Sequence, residues 1–390
     1  MIMPSLPAIE LNDSPVVRFG DGAIGHVDEI LRQVQPSSIF LVTGDASYAS
    51  SGAETALTPV LARWNVRRFR AGSHSADWSN VERGLTLYRQ RHDPILLAVG
   101  GGVVLDTAKL ISVLSANDIA PLDLIQQRSP LTRSGPPVLA VPTTAGTGSE
   151  ATHFAVVYVD KTKFSVAHES MLPRWAVIDP QLTHSAPPDL TAATGLDALS
   201  QAIESLWSAS STPESADDAR AAVQLARDNL WRAVRSPSRD VRFAMSKASY
   251  LAGRAINVTR TTAPHALSYA MTAHFGVPHG HAVALTVGEM LVYNGDVSHG
   301  DVNDRRGPAH VRGAVTEICH LLGCEDARAA RVKLSELIAS LGLSTRLRDV
   351  GIRTAEQRQF IVDQANLQRL TNNPRQLTSP QLVDLLGSIA

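Results

Sequence analysis

Cysteine is scarce in this chain of 390 residues, which holds only Cys319 and Cys324. Two thiols cannot build a disulfide framework, and they are read as buried thiols of a cytosolic protein. Charge of one sign is equally lacking, since 36 Lys and Arg stand against 37 Asp and Glu. That balance gives no reason to expect nucleic acid or an anionic membrane as a partner. No stretch approaches ~18 uninterrupted apolar residues, so no membrane span is expected. The opening residues, Met1 to Pro7, show no basic region followed by an apolar core. No signal peptide is therefore read, and a cytoplasmic location is expected. Internal repeats and low-complexity tracts are absent as well. What is present is a composition ordinary for a globular protein, 44% hydrophobic and 19% charged. The length exceeds what one core usually fills, so two domains are expected.

The first half alternates short apolar runs with helical patterns. Ser38 to Thr43, Ile95 to Val99 and Val138 to Val141 are continuously apolar and end near Gly or Pro, as buried parallel strands do. Amphipathic helices are expected between them, near Gly25–Gln35, Gly52–Trp64 and Trp78–Arg91. Such alternation argues an open α/β sheet. Ala155 to Val159, then Asp160-Lys-Thr-Lys163, then Phe164 to Ala167 reads as a β-hairpin laid beside it, and Trp175 to Pro180 as a last strand. From Leu182 onward Ala, Arg and Leu recur at helical spacing. One helix starts at Asp189, and another is expected from Ser238, a fitting N-cap, to Ile256. The expectation is an α/β domain with a parallel sheet over residues 1–185 and an all-helical domain over residues 186–390, with the site between them.

Gly100, Gly101 and Gly102 follow a buried strand and run into a helix. Glycines let a backbone approach a pyrophosphate, and a helix N-terminus offers free N–H groups; a structural turn explains the triplet equally well. A second loop, Pro142-Thr-Thr-Ala-Gly-Thr-Gly-Ser149, packs small hydroxyl-bearing residues after the next strand. Asp45 follows the strand ending at Thr43, where a carboxylate could bond ribose hydroxyls and repel a 2′-phosphate. Further on come Gly195-Leu-Asp-Ala-Leu-Ser-Gln201 and a segment framed by His265 and His279, whose types suit a metal. Arg260, Thr261 and Thr262 precede a helix N-terminus and His265. A guanidinium, two hydroxyls and helix N–H groups make an anion site, unless the arginine points to solvent.

These motifs, in this order, resemble the iron-activated (group III) alcohol dehydrogenase family, from about Val16 to Gly288. The resemblance implies the iron-alcohol-dehydrogenase, dehydroquinate-synthase-like fold, with a nicotinamide cofactor, NAD(H) favoured over NADP(H) by Asp45. It implies cofactor contacts at Gly100, Gly101, Gly102, Thr143, Thr144, Gly146, Thr147, Ser149 and Leu182. The family's serine after the triple glycine is Val103 here. Asp106 and Lys109 match a family pair, either in ligand contact or as an intrahelical ion pair. The resemblance further implies one divalent metal, Fe²⁺ or Zn²⁺, held by Asp197, His265 and His279. The fourth ligand position, one turn after Asp197, is Gln201 instead of histidine. An amide oxygen can reach a metal, but as a harder and weaker donor. Where relatives often carry another histidine, this chain has Tyr269, a candidate for proton transfer. His281 could compensate, or be a surface residue.

The segment around Arg260 resembles the phosphonoacetaldehyde reductase subgroup of that family. It implies reduction of a small anionic aldehyde to a primary alcohol, with the anion at Arg260, Thr261 and Thr262. His153 and Lys163 are further polar candidates, the first towards substrate and the second towards cofactor. A homodimer is expected. The alternatives are a generic short-chain alcohol dehydrogenase or aldehyde reductase, a dehydroquinate-synthase-like lyase, and a metal-free non-catalytic homologue.

Overall fold

The computed structural model describes residues 15–72, 76–91, 94–117, 120–365 and 367–390. The leader reading on Met1 to Pro7 lies outside them. The chain divides into two compact units, Met1–Ala186 and Pro187–Ala390.

The first unit holds strands β1 (Val16–Phe19), β2 (Ile39–Thr43), β3 (Val66–Arg70), β4 (Leu96–Gly100), β5 (Val138–Pro142), β6 (Phe154–Val159), β7 (Thr162–Ala167) and β8 (Trp175–Ile178). Its helices are α1 (His26–Val34), α2 (Ser47–Ser50), α3 (Ala53–Leu61), α4 (Trp78–Arg89), α5 (Gly102–Ser115) and α6 (Pro121–Ile125). Six strands form one sheet in the order β1-β8-β5-β4-β2-β3, and every pairing in it is parallel. Alternate residues of the central strands face opposite layers. Ile39, Leu41, Leu97, Val99, Leu139 and Val141 pack with Val27, Leu31 and Leu57 of α1 and α3. Phe40, Val42, Leu96, Ala98 and Ala140 pack with Val104, Leu105, Ala108 and Ile111 of α5. Both faces are covered, which is why β2, β4 and β5 read as unbroken apolar runs.

The expected parallel α/β sheet is thus present. Two of its strands, β1 and β3, carried no recognisable signal. They are the sheet's edges, and β3, Val-Arg-Arg-Phe-Arg, carries three arginines on a strand with only Phe69 buried. Charge is how proteins blunt an open edge, and it erases the apolar run. The hairpin of β6 and β7 forms a separate two-stranded antiparallel sheet. Its turn is set by Asp160 and Lys161, at φ 48° and 65°.

The second unit is helical: α7 (Pro188–Trp207), α8 (Pro213–Arg235), α9 (Arg239–Thr259), α10 (Ala263–Phe275), α11 (His279–Gly295), α12 (Pro308–Leu321), α13 (Ala327–Ser340), α14 (Ala355–Asp363), α15 (Leu367–Thr371) and α16 (Ser379–Ser388). Ser238 caps α9 by accepting from the Val241 amide. Helix α7 is buried along most of its length and packs on α8, α9 and α11. Cys319 is buried, with its thiol pushed up to about 11 chiefly by burial, whereas Cys324 is partly exposed, so only one of the two fits the buried-thiol reading. Among the described residues no helix is long and apolar enough to cross a membrane.

Gly280 fixes the closest approach in this unit. A Cβ there would run into the Ala193 carbonyl oxygen and meet the Asp197 Cβ at 2.8 Å. Only glycine lets the first turn of α11 rest on α7, and that contact brings His279 beside Asp197. Gly280→Ala should destabilise the protein by about 1–3 kcal/mol through overpacking. A thermal melt that leaves Tm unchanged would show that α11 can shift without penalty.

Candidate functional site

The first unit presents the two loops at the carboxyl ends of β4 and β5. Gly101 is the N-cap of α5 and makes no side-chain cap bond. The triple glycine lies against the second loop: a Cβ on Gly101 would meet Thr144 Oγ1 at 3.2 Å, and one on Gly102 would meet Thr147 Cγ2 at 2.6 Å. Thr143 Oγ1 is a buried hydroxyl with no hydrogen-bond partner. An orphaned hydroxyl beside a helix N-terminus and a glycine cradle fits a phosphate-bearing cofactor. Asp45 is exposed just beyond β2.

Other cofactor candidates are tied to one another. Asp106 accepts from Ser149 Oγ at 2.5 Å and from the Val156 amide at 2.9 Å. Lys109 is fully buried, and its ammonium donates to Ser149 O, Thr152 O and Thr152 Oγ1 at 2.9–3.0 Å. The ion pair between Lys109 and Asp106 is present at 3.7 Å. Both side chains therefore brace the loop that carries Ser149. Val103 sits in the first turn of α5 and Leu182 is buried against the core of β2, β4 and β5. Lys163 lies on β7 and His153 precedes β6, its ring edge-on to Phe154.

The second unit brings Asp197, His265 and His279 together, with ligand atoms all within 4.8 Å of one another. His265 Nε2 stands 3.3 Å from Asp197 Oδ1, and His279 Nε2 stands 3.9 Å from it. Each imidazole is oriented through its other nitrogen. His265 Nδ1 lies 2.6 Å from Glu204 Oε2, so it donates to that carboxylate and leaves Nε2 as a lone-pair donor. His279 Nδ1 lies 3.3 Å from Ser268 Oγ, whose own proton goes to the His265 carbonyl. That fixes the same tautomer at His279. Such outer partners set the ring orientation and basicity of metal-binding histidines. Gln201 is buried one turn beyond Asp197 and donates to it, which leaves its amide oxygen as the atom for a metal.

Glu204 was not among the sequence candidates. It is fully buried and lies on α7 at the same face as Asp197 and Gln201. Besides the His265 ring, it accepts from the amides of His265 at 3.2 Å and Thr262 at 3.3 Å. The carboxylate thus caps the start of α10 while holding the ring. Its i, i+4, i+7 relation to Asp197 and Gln201 was the available signal.

Asp197 Oδ1 and His265 Nε2 are both buried and lack a hydrogen-bond partner. Two facing buried atoms, one of them a carboxylate oxygen, offer donors to a cation. Burial alone would keep His265 neutral, but Glu204 and Asp197 outweigh it and push its pKa up to about 10. Burial likewise opposes the Asp197 carboxylate, yet contacts with His265, His279 and Gln201 hold its pKa below the usual value. A pair of carboxylates this buried selects for positive charge, and the donor set fits a divalent metal.

Tyr269 is buried and stacks on His279, with ring centroids 6.1 Å apart. His281 is 3% exposed, so it is no surface residue, and its Nε2 lies 2.6 Å from Ser344 O. The structure does not bring it into the cluster. Thr261 and Thr262 are buried, and the Thr262 hydroxyl accepts from Trp207 Nε1 at 2.9 Å. Arg260, half-buried, has φ 59° and ψ 177°, a conformation that suits glycine and strains an arginine by about 1–3 kcal/mol. Burial, then the charge of Arg369, pushes its pKa down to about 10, so it stays charged at neutral pH.

The family model described as iron-containing alcohol dehydrogenase matches residues 14–180, and that of the C-terminal region of the Fe-containing alcohol dehydrogenase family matches residues 191–390. Phosphonoacetaldehyde reductase of Streptomyces viridochromogenes is 35% identical over 302 residues, 75% of either chain. Choline dehydrogenase of Bacillus subtilis is 33% identical over 285 residues, 72% of this chain and 71% of its own. The crystal structure of sulfoacetaldehyde reductase from Bifidobacterium kashiwanohense in complex with NAD+ superposes with a TM-score of 0.84 at 30% identity, covering 96% of each chain.

Two substitutions test the cluster. Glu204→Gln should weaken metal binding about 10- to 100-fold, because the His265 ring loses its anionic partner; unchanged affinity in a chelator competition would remove Glu204 from this role. Gln201→His should tighten binding in the same competition, since a nitrogen donor replaces oxygen. No tightening would place Gln201 outside the ligand set.

Proposed function

The chain belongs to the iron-containing alcohol dehydrogenase family, and from that premise we propose that it is a metal-dependent, nicotinamide-linked reductase of a small anionic aldehyde. The substrate we favour is phosphonoacetaldehyde, reduced to 2-hydroxyethylphosphonate. Carbonyl-to-alcohol chemistry follows from the family and from relatives named as alcohol dehydrogenases and aldehyde reductases. The anionic preference rests on one observation: Arg260 occupies a strained, glycine-like conformation five residues before His265. Strain of this kind persists where the surrounding structure over-determines it, and it gathers at ligand sites. Relatives named for phosphono- and sulfoacetaldehyde agree with that reading.

We assign the cofactor to the first unit, at the glycine cradle and the Thr143–Ser149 loop, with Asp45 favouring NADH through the ribose hydroxyls. The metal falls to Asp197, Gln201, His265 and His279 of the second unit. When bound, the metal supplies positive charge to polarise the carbonyl, and the reduced nicotinamide supplies the hydride. The chain's own residues do the remainder. Glu204 and Ser268 hold the two imidazoles so that each offers Nε2. Arg260 binds the anion and so orients the aldehyde. Tyr269, one turn after His265 and stacked on His279, is the candidate to pass a proton to the product oxygen.

The test is NADH and NADPH oxidation after reconstitution with Fe²⁺ or Zn²⁺, against phosphonoacetaldehyde, sulfoacetaldehyde and propanal. Anionic aldehydes and NADH should give the larger kcat/KM. Arg260→Gly should lower kcat/KM for phosphonoacetaldehyde about 10- to 100-fold more than for propanal, the loss of a charge-assisted contact of about 1.5–3 kcal/mol. Because glycine suits φ 59°, Tm should hold or rise. Propanal rivalling the anionic substrates in the wild type would instead favour a generic short-chain alcohol dehydrogenase.

A further inference from the structure

The chain's two thiols meet at one helix terminus. Helix α12 ends at Leu321, and Gly323 takes φ 70° just beyond it. The Gly323 amide donates to His320 O at 2.9 Å, and the Cys324 amide donates to Cys319 O at 2.8 Å. Two such bonds around a left-handed glycine make the Schellman ending of a helix. In that motif the residue three before the cap and the residue two beyond it fold onto one another, and their side chains commonly touch. Leu322 is the cap, so the two positions are Cys319 and Cys324. The hydrogen bond sets a limit on their separation. A Cα lies about 2.4 Å from its own carbonyl oxygen and about 1.5 Å from its own nitrogen, so the 2.8 Å bond holds the two Cα atoms within about 6.7 Å. Disulfides span roughly 4.4–6.8 Å between Cα atoms.

The two thiols differ in access. Cys319 is 1% exposed, whereas Cys324 is partly exposed. Burial, then the nearby Cys324 and Asp326, pushes the Cys319 thiol up to about 11, so it stays protonated at neutral pH. A cavity of about 270 Å³ borders Cys319, with Thr316, Glu325 and Asp326 also in its wall. It leaves the buried sulfur room to turn. Two residues past Cys324, Asp326 caps α13 by accepting from the Ala329 amide at 2.8 Å. The thiols therefore sit at the corner between α12 and α13, and α11 packs on both helices.

We propose that Cys319 and Cys324 form a modification site, a dithiol that peroxide converts reversibly to an intrachain disulfide closing this corner. The exposed Cys324 sulfur attacks one peroxide oxygen. An S–O bond forms, the O–O bond breaks, and the departing oxygen leaves as water with the thiol proton. The Cys319 sulfur then attacks the Cys324 sulfur. The S–S bond forms, the S–O bond breaks, and the departing hydroxide takes the Cys319 proton as water. Two thiols lose two electrons, and one peroxide becomes two waters. A small thiol reductant reverses the change through a mixed disulfide.

The experiment uses the full chain reconstituted with Zn²⁺, which has no redox chemistry of its own, and hydrogen peroxide as the probe. In the wild type both free thiols should disappear together, the intact mass should fall by two hydrogens, and a peptide map should link Cys319 to Cys324. Dithiothreitol should restore both thiols. The oxidised chain should melt about 2–5 °C above the reduced one. Cys324→Ser should keep Cys319 as a free thiol under the same treatment, because burial shields it. Cys319→Ser should leave Cys324 as a sulfenic acid that dimedone traps. Thiols that both survive peroxide, oxygen added to Cys324 of the wild type without a link, or a link between two chains overturns the proposal. An unchanged Tm would overturn the closing of the corner. Should Cys319→Ser unfold, the wild-type mass and map and the Cys324→Ser thiol count still decide the matter.

Discussion

The second unit turns on one buried carboxylate. Glu204 has no exposed surface and accepts from the His265 ring and from the amides of His265 and Thr262. A carboxylate stripped of water is costly unless every lone pair is used. Here three donors and the positive end of α10 provide the compensation. The same contacts fix three things at once: where α10 begins, which nitrogen His265 presents, and how the chain enters from Arg260. Orientation of the proposed metal ligand and strain at the proposed anion ligand thus share a single support.

That support belongs to a wider pattern on α7. Asp197, Gln201 and Glu204 follow one another along one face, and the end of the helix continues the task. Ser205 bonds Thr259, Trp207 bonds Thr262, and Ser208 bonds the Thr259 carbonyl. One helix therefore offers the acidic ligand, orients an imidazole and anchors the turn that bears Arg260. Gly280 brings α11 to the same helix from the other side. Rigid elements rather than loops hold the cluster, as close metal coordination requires.

Much of this could be read from the chain before its structure. The buried strands β2, β4 and β5 announce themselves because both faces must be apolar, and the helical second half through its spacing. The edge strands did not, since β1 is short and β3 is arginine-rich. Asp197, His265 and His279 stood out through the family resemblance, and the structure gathers them. What stayed hidden were partners rather than ligands. Glu204 looked like one more acid in a helix, and Asn372 lies more than a hundred residues from the turn it braces. Roles that depend on a tertiary contact leave no local pattern. His281 shows the converse: two residues from His279 in sequence, it points its ring to Ser344 instead of the cluster.

Gln201 is best understood through the charges around it. Asp197 and Glu204 place two negative charges at His265, and burial leaves little water to screen them. A divalent cation balances the two. The same two carboxylates favour a positive charge on His265 against the penalty of burial and push its pKa up to about 10. Replacing a neutral imidazole by a neutral amide leaves that balance untouched. Gln201 even strengthens it, because its donated hydrogen bond favours the ionised form of Asp197. What changes is donor softness. An oxygen in place of nitrogen weakens the hold on zinc and iron while tolerating harder ions such as Mn²⁺. Asp197 and Glu204 thus build the demand for positive charge into the fold, and in the proposed ligand set position 201 is where the choice among cations would be made.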